Sequence, residues 1–265
     1  MPVSLWVLYF QPKSAKEIIA VTHLGIIKLL TVLAFDTATS SCAIALWHDG
    51  EILAEAQQML ERGHAEVLVP MIEGVLSDAS LSYQELELLA VTVGPGAFTG
   101  IRIGLATARA LALASDLPLI GVTNFEALAH AVPAEERRGR NLLIVLETKR
   151  ADFYTCGYDE NLSLLAEPKA IDEDGLIELA AGIAKDGALL LAGDCLERAQ
   201  QVLQKNDLDI LISSGSNHVD PTVVAELAAA KLKSSAAIEH PAPLYLKPPD
   251  VNMSGVKPPT RQISP

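Results

Sequence analysis

The residues with the clearest chemical potential lie at positions 94–104, in the sequence GPGAFTGIRIG. Residues 88–93 have the length and β-branched content of a strand, and residues 101–114 have the period of a helix. Gly94 and Gly96 can adopt backbone angles closed to other residues, and Thr99 is placed to cap the helix. Such a strand–loop–helix corner presents free backbone amides and predicts a site for an anion or a phosphate.

The same residues also allow an interpretation without a ligand. Most glycine-proline corners only turn the chain, and a short glycine motif is weak evidence for phosphate binding. Small residues recur at Gly100, Gly104, Ala108 and Ala112, which leaves one helix face almost without side chains. This stripe predicts close approach by a second helix, so both interpretations stay open.

A carboxylate and a hydroxyl form a second candidate site. Residues 31–36 have the pattern of a strand that ends at Asp36 and Thr37, where a metal-bound nucleotide could be held. The alternative is that the two side chains only cap the turn, as Asp and Thr often do.

Composition limits the classes of function. The chain is 50% hydrophobic and only 5% aromatic, so its core must be aliphatic. A formal net charge of −13 argues against a basic surface that binds nucleic acid unaided, because Lys and Arg supply most of that affinity. Three cysteines without Cys-x-x-Cys spacing predict reduced thiols in a cytoplasmic protein. The apolar runs within residues 1–30 are too short to span a membrane and are interpreted as an extension outside the fold.

The remaining patterns repeat one plan of a β-meander, a helix, a strand and a helix. The first copy has its hairpin turn at residues 48–50, a helix at 64–79 and a helix capped by Thr123. The second copy follows a polar connection at residues 133–140. We therefore predict an α/β fold with two subdomains, 31–135 and 136–247, each a mixed sheet flanked by helices. The predicted strands are residues 31–36, 42–47, 51–56, 88–93, 119–122, 142–147, 152–158, 163–167, 188–192 and 207–212.

Three helices and two irregular segments complete the plan. Helices are predicted at residues 173–183, 195–205 and 221–233, the last capped by Asp220 and able to pack on the first subdomain. Residues 241–249 are too rich in proline to be helical, and residues 248–265 predict a mobile tail.

Helix 64–79 has more apolar surface than one buried face requires. Val67, Leu68, Met71, Ile72, Val75 and Leu76 form one face, while Ala65 and Val69 lie elsewhere. The surplus predicts contact with another chain. His64 is expected to cap the helix or lie at the surface, since no second histidine stands four residues later to form a zinc pair.

Taken in order, these motifs resemble the TsaB (YeaZ) family over about residues 31–250. The residues that carry the resemblance are Asp36-Thr37-Ala38-Thr39, His64 at a helix start, the run 94–104, residues 118–122 and Pro243-Leu244-Tyr245-Leu246-Lys247. The resemblance implies a duplicated actin/Hsp70-like (ribonuclease H-like) fold. It also implies a part in the bacterial machinery that attaches threonylcarbamoyl to N6 of adenosine 37 in tRNA.

The resemblance implies a scaffold subunit rather than an enzyme. It implies pairing with TsaD, recruitment of TsaE, homodimerisation through the same surface, and contact with tRNA only through the complex. No cofactor or metal is expected in the isolated chain, because ATP or ADP and a divalent metal are associated with TsaD. The expected partner interface comprises His64, Val67, Leu68, Met71, Ile72, Val75, Gly100, Gly104, Leu105, Ala108 and Ala112. A vestigial nucleotide site would comprise Asp36, Thr37, Gly94, Gly96, Thr99 and Gly100.

Two features favour this scaffold over a catalyst. TsaD-like relatives bind a metal through a His-x-x-x-His pair, and the corresponding positions here are Asn124 and Leu128, which carry no imidazole. Ala38 stands where ATPases of this fold have glycine, so weak or no ATP binding is expected. An actin-like kinase that uses Asp36 is the alternative, and a metallopeptidase would require a stoichiometric metal. Gly104→Leu and Ala108→Glu are expected to break association without unfolding the chain.

Overall fold

The computed structural model describes residues 19–22, 25–28, 30–60, 62–148, 150–184, 188–215, 217–234 and 240–247. The predicted extension 1–30 lies mostly outside these residues, and the predicted tail 248–265 lies wholly outside them. Strand β1 (Ile19–Thr22) pairs with β2 (Gly25–Lys28) in a separate antiparallel hairpin.

A five-stranded mixed sheet forms the first half. Its order is β5-β4-β3-β6-β7, with antiparallel pairing among β3, β4 and β5 and parallel pairing of β6 and β7. Asp49 and Gly50 have φ angles of 42° and 103°, the left-handed backbone that a two-residue hairpin turn needs, so the predicted turn is confirmed. The strands are β3 (Thr31–Asp36), β4 (Ser41–His48), β5 (Glu51–Met59), β6 (Leu88–Thr92) and β7 (Leu119–Val122).

The second half repeats this sheet. Its order is β10-β9-β8-β11-β12, with the same strand directions at each position. The predicted duplicated α/β fold is therefore confirmed. The strands are β8 (Leu142–Glu147), β9 (Phe153–Tyr158), β10 (Leu164–Ile171), β11 (Leu189–Ala192) and β12 (Ile210–Ile212).

Seven helices in the described residues cover the two sheets. The first two pack on one face of the first sheet, where they enclose Leu33 and Phe35, and the last packs on its other face against Val32 and Ala34. That second face also meets Ile144 of β8, so the two halves share one core. The helices are α1 (His64–Asp78), α2 (Phe98–Ser115), α3 (Asn124–Ala131), α4 (Ala134–Arg137), α5 (Glu173–Ile183), α6 (Leu196–Gln204) and α7 (Pro221–Lys233).

Helix boundaries confirm some predicted caps and correct others. Thr123 and Asp220 accept hydrogen bonds from the first turns of α3 and α7, as predicted. Thr99 is not a cap, because α2 begins one residue before it, with Ala97 as its N-cap. The predicted connection 133–140 contains the short helix α4. Among the described residues, no helix combines the length and hydropathy needed to span a membrane.

Candidate functional site

The two predicted ligand loops lie against each other at the carboxyl ends of β3 and β6. The Ala97 N–H donates to the carbonyl oxygen of Ala38 at 2.7 Å, and Thr37 Oγ1 donates to the carbonyl oxygen of Gly100 at 2.8 Å. A Cβ on Gly100 would overlap the carbonyl oxygen of Thr37, and one on Gly96 would overlap that of Ala38. Gly96 and Gly100 therefore admit the backbone of the other loop. At Gly100, the close approach is made by this loop and not by the second helix of the alternative interpretation.

Asp36 is enclosed by donors from its own chain. Its side chain is fully buried, and its Oδ1 accepts from the Ala38 N–H at 3.0 Å and from the Thr92 hydroxyl. Its Oδ2 accepts from Thr39 Oγ1 at 2.6 Å. Burial raises the pKa of Asp36, although these hydrogen bonds act in the opposite direction. The carboxylate thus ties together the ends of β3 and β6.

Asp36→Asn is expected to flatten the pH dependence of stability. Burial raises the folded-state pKa of Asp36 above its ordinary value of 3.8. The unfolded chain therefore releases this proton first, and the free energy of unfolding falls as the pH rises from that value through the folded-state pKa. Asparagine cannot ionise, so the stability difference should grow in favour of the variant across this window. Urea unfolding at about pH 4 and about pH 7 measures it, and a difference that does not change with pH would contradict the assignment.

Most of the predicted partner-interface residues belong to the chain's own core. Their burial corrects the prediction that they contact a partner, because a docking subunit could not reach them. Val67, Met71 and Ala112 are half-buried. The buried ones are His64, Leu68, Ile72, Val75, Gly100, Gly104, Leu105 and Ala108.

His64 is the polar member of this buried group. It is only 9% exposed, and its Nε2 has no hydrogen-bond partner among the described residues. Gly63, in the left-handed conformation, is the N-cap of α1, and no side chain caps this helix. The expectation that His64 caps the helix or lies at the surface is therefore wrong.

The exposed side of α2 is a different set of residues, here called the outer face of α2. Positions separated by three, four or seven residues share one side of a helix, so these side chains point away from the sheet together. Leu113 on this face is 87% exposed, and Val69 of the neighbouring α1 is 43% exposed. The opposite side of α2 packs against the first sheet, so the Leu113 side chain is uncovered in the isolated chain and accessible to a partner. The outer face of α2 comprises Arg102, Ala106, Arg109, Ala110 and Leu113.

The sequence of the chain matches a known protein family. A family model described as "TsaD: tRNA N6-adenosine threonylcarbamoyltransferase" matches residues 52–186, half of the chain. The chain is 28% identical over 227 residues to the tRNA threonylcarbamoyladenosine biosynthesis protein TsaB of Escherichia coli, covering 82% of this chain and 95% of that protein. The chain belongs to the TsaB (YeaZ) family.

A further relative and a solved structure are also similar to the chain. The TsaB protein of Bacillus subtilis is 28% identical over 229 residues, covering 82% of this chain and 94% of that protein. The solved structure of YeaZ from Pseudomonas aeruginosa superposes with a TM-score of 0.68 at 23% identity, covering 82% of this chain and all of that one. This likeness shows that the TsaB fold is shared.

The two positions that correspond to the histidine pair of TsaD-like proteins are buried in this chain. Asn124 and Leu128 on α3 are each 1% exposed. Leu128 packs in the core shared by the two halves, and the side-chain amide of Asn124 has no hydrogen-bond partner in the described part of the chain. The described residues contain no group of three His, Cys, Asp or Glu side chains arranged to hold a metal ion.

A cleft that the sequence did not predict lies at the carboxyl ends of β8 and β11. It has a volume of about 330 Å³ and is lined by Glu147, Asp194, Cys195, Glu197, Arg198 and Gln201. Burial raises the pKa of the Cys195 thiol to about 12, so the thiol stays protonated at neutral pH and is a poor nucleophile. The only sequence signal was the Gly193-Asp194 turn after a predicted strand.

Arg198 in this cleft contacts the turn between β8 and β9. Its guanidinium pairs with Glu147 at 3.3 Å and donates to the carbonyl oxygens of Arg150 and Asp152. It also lies over the ring of Phe153, with 4.0 Å between the guanidinium carbon and the ring centroid. These contacts stabilise the turn, so the role of Arg198 is structural.

Proposed function

We propose that this chain is a non-catalytic scaffold subunit of the bacterial machinery that forms N6-threonylcarbamoyladenosine at position 37 of tRNA. In this proposal it pairs with TsaD and recruits TsaE, while ATP or ADP, the divalent metal and the tRNA are handled by the assembled complex. The names of the relatives in E. coli and B. subtilis, and the TsaD family model, support the role in this modification.

One observation carries the non-catalytic part of the proposal: the loops that would hold a nucleotide already bind each other. The Ala97 N–H, which an anion at this corner would need, donates to Ala38, and Asp36 accepts three hydrogen bonds from its own chain. A phosphate would have to displace these contacts and would meet a buried carboxylate. This arrangement supports a structural role for the loops and disfavours a kinase that uses Asp36.

The outer face of α2 is the surface that we assign to TsaD. Leu113, Ala106 and Ala110 are apolar and exposed on this face, and Val69 is exposed on the neighbouring α1. Burial of such side chains against a partner provides a favourable free energy of association. The small alanine side chains would let a partner helix approach closely.

The test is to mix the purified chain with TsaD from the same organism and to measure mass by size-exclusion chromatography with light scattering. We expect a one-to-one complex that forms as any homodimer of this chain disappears. Adding TsaE should increase the mass of this complex. If no complex forms, even with ATP and TsaE present, the scaffold proposal is wrong, and ATP titration of wild type and Asp36→Ala would test the kinase alternative.

A further inference from the structure

Arg102 on the outer face of α2 is held by two aromatic side chains. Its guanidinium carbon lies 3.6 Å from the centroid of the Phe98 ring. Its Nε donates to the hydroxyl of Tyr245 at 2.9 Å, and the rings of Phe98 and Tyr245 are 5.0 Å apart. Stacking and hydrogen bonding together fix the guanidinium plane, although the side chain is exposed.

The charge of Arg102 has no counter-ion within the described residues. No carboxylate there forms an ion pair with it, and its hydrogen bond to Tyr245 uses only Nε. By contrast, Arg198 pairs with Glu147. The terminal nitrogens of this ordered, exposed guanidinium have no partner among the described residues. The geometry of a guanidinium fork matches that of a carboxylate or a phosphate.

The hydroxyl that orients Arg102 comes from the carboxyl-terminal segment, residues 240–247. The Leu244 N–H donates to the carbonyl oxygen of Val93 at 2.8 Å, which fixes this segment beside the corner. Lys247 pairs with Asp152 of the second half. The chain is therefore anchored on both sides of Tyr245, which fixes the position of its hydroxyl although the residue is 38% exposed.

We propose that Arg102 binds a carboxylate of the protein subunit that docks on the outer face of α2, and that Tyr245 is its positioning residue. This inference rests on the proposed function. The planar fork of two terminal nitrogens matches a carboxylate in a bidentate pair. Arg102 shares its side of the helix with Ala106 and Leu113, so one partner can cover the apolar residues and supply the acidic group.

A protein carboxylate fits the surroundings better than RNA. The exposed residues that follow Arg102 along the outer face of α2 are mostly alanine and leucine, which suit a packed protein contact. Binding of a polyanion depends on many Lys and Arg contacts, which a chain of net charge −13 does not favour, whereas a bidentate pair needs only one carboxylate. RNA contact is therefore kept as an outcome of the test.

The experiment measures the dissociation constant for TsaD by isothermal titration. Arg102→Gln is expected to raise it about tenfold or more, because one charge-assisted pair is lost from an interface. Arg102→Lys should recover only part of the loss, since an ammonium lacks the fork. Arg138→Gln is the matched control: it removes the same charge from an exposed arginine outside the outer face of α2 and should leave binding within about twofold.

Tyr245→Phe tests whether the Tyr245 hydroxyl positions Arg102. This variant keeps the ring and removes only the hydroxyl, so it should leave the stability of the fold unchanged. It should weaken binding about threefold in the wild-type background and have no further effect in Arg102→Gln, the coupling expected of a residue that acts through Arg102. Equal effects in both backgrounds would overturn the positioning role.

The remaining outcomes distinguish the proposals. If wild type binds TsaD and Arg102→Gln binds equally well, the carboxylate proposal falls and the scaffold proposal stands. If Arg102→Gln binds TsaD as wild type does, but its complex with TsaD no longer binds tRNA in a filter-binding assay, Arg102 contacts RNA and the carboxylate proposal is overturned. If wild type does not bind TsaD, both proposals fall.

Discussion

Gly100→Ala is expected to destabilise the folded chain by about 3 kcal/mol and to lower the melting temperature by roughly 6–12 °C. The added Cβ would overlap the carbonyl oxygen of Thr37, which belongs to the backbone and cannot rotate away. Relief requires the two loops to separate, which breaks the hydrogen bonds from Ala97 to Ala38 and from Thr37 to Gly100. Thermal unfolding followed by circular dichroism measures the loss.

Gly74→Ala is the matched control for this prediction. Gly74 also lies within a helix, α1, but a Cβ there would meet no atom within 4 Å. Alanine is a better helix former than glycine, so this variant should be about 0.5–1 kcal/mol more stable than wild type. Equal melting temperatures for Gly100→Ala and Gly74→Ala would show that the contact between the two loops does not support the fold.

The parts of the fold that follow from local chemistry were predictable. The strand that ends at Asp36 has the predicted bounds, because an apolar run followed by polar turn residues defines both ends. The Asp49-Gly50 turn and the caps Thr123 and Asp220 also depend on neighbouring residues alone. Repetition of these local patterns was enough to predict the duplicated sheet.

Features set by distant contacts were missed. Helix α2 begins after Ala97, whose N–H donates to the carbonyl oxygen of Ala38, almost sixty residues earlier in the chain. The residues next to Thr99 carry no sign of this contact, so the cap was predicted two residues too late. Helix α4 has only four residues and lies in a charged stretch without a hydrophobic period. The cleft beside Arg198 is formed by strands that come together only in the folded chain.

The same limitation explains the error in the predicted interface. Helical period identifies an apolar face but does not say whether that face meets the chain's own sheet or another molecule. Leu68 and Leu105 are buried under the first sheet, whereas Leu113 on the same helix as Leu105 is exposed. Because α2 is rich in alanine and glycine on all sides, its composition could not separate the covered face from the outer one.

This distinction replaces the expectations for Gly104→Leu and Ala108→Glu. A Cβ at Gly104 would already lie 2.6 Å from Thr37 Oγ1, and Ala108 is fully buried in the core of the first half. Both changes should therefore unfold or distort the chain rather than act on association alone. An informative interface variant has to be exposed in the monomer.

Leu113→Glu is expected to weaken association with TsaD at least about 100-fold while leaving the chain folded. Leu113 is 87% exposed, so its replacement should change the stability of the isolated chain by less than about 0.5 kcal/mol. In the complex the variant would lose the burial of a leucine side chain and place a carboxylate in an apolar contact, which is costly unless it is paired. Light scattering of the mixture and a melting curve of the isolated variant measure the two effects.

Leu164→Glu provides the control, because Leu164 is 47% exposed on β10 of the second sheet, outside the assigned surface. It introduces the same charge and should leave the dissociation constant within about twofold of wild type. Normal binding by Leu113→Glu would move the TsaD contact away from the outer face of α2. Loss of binding by both variants would mean that added negative charge, in a chain already at −13, repels the partner without regard to position. Only loss by Leu113→Glu alone places TsaD on this helix, since the two variants then differ solely in where the same side chain stands.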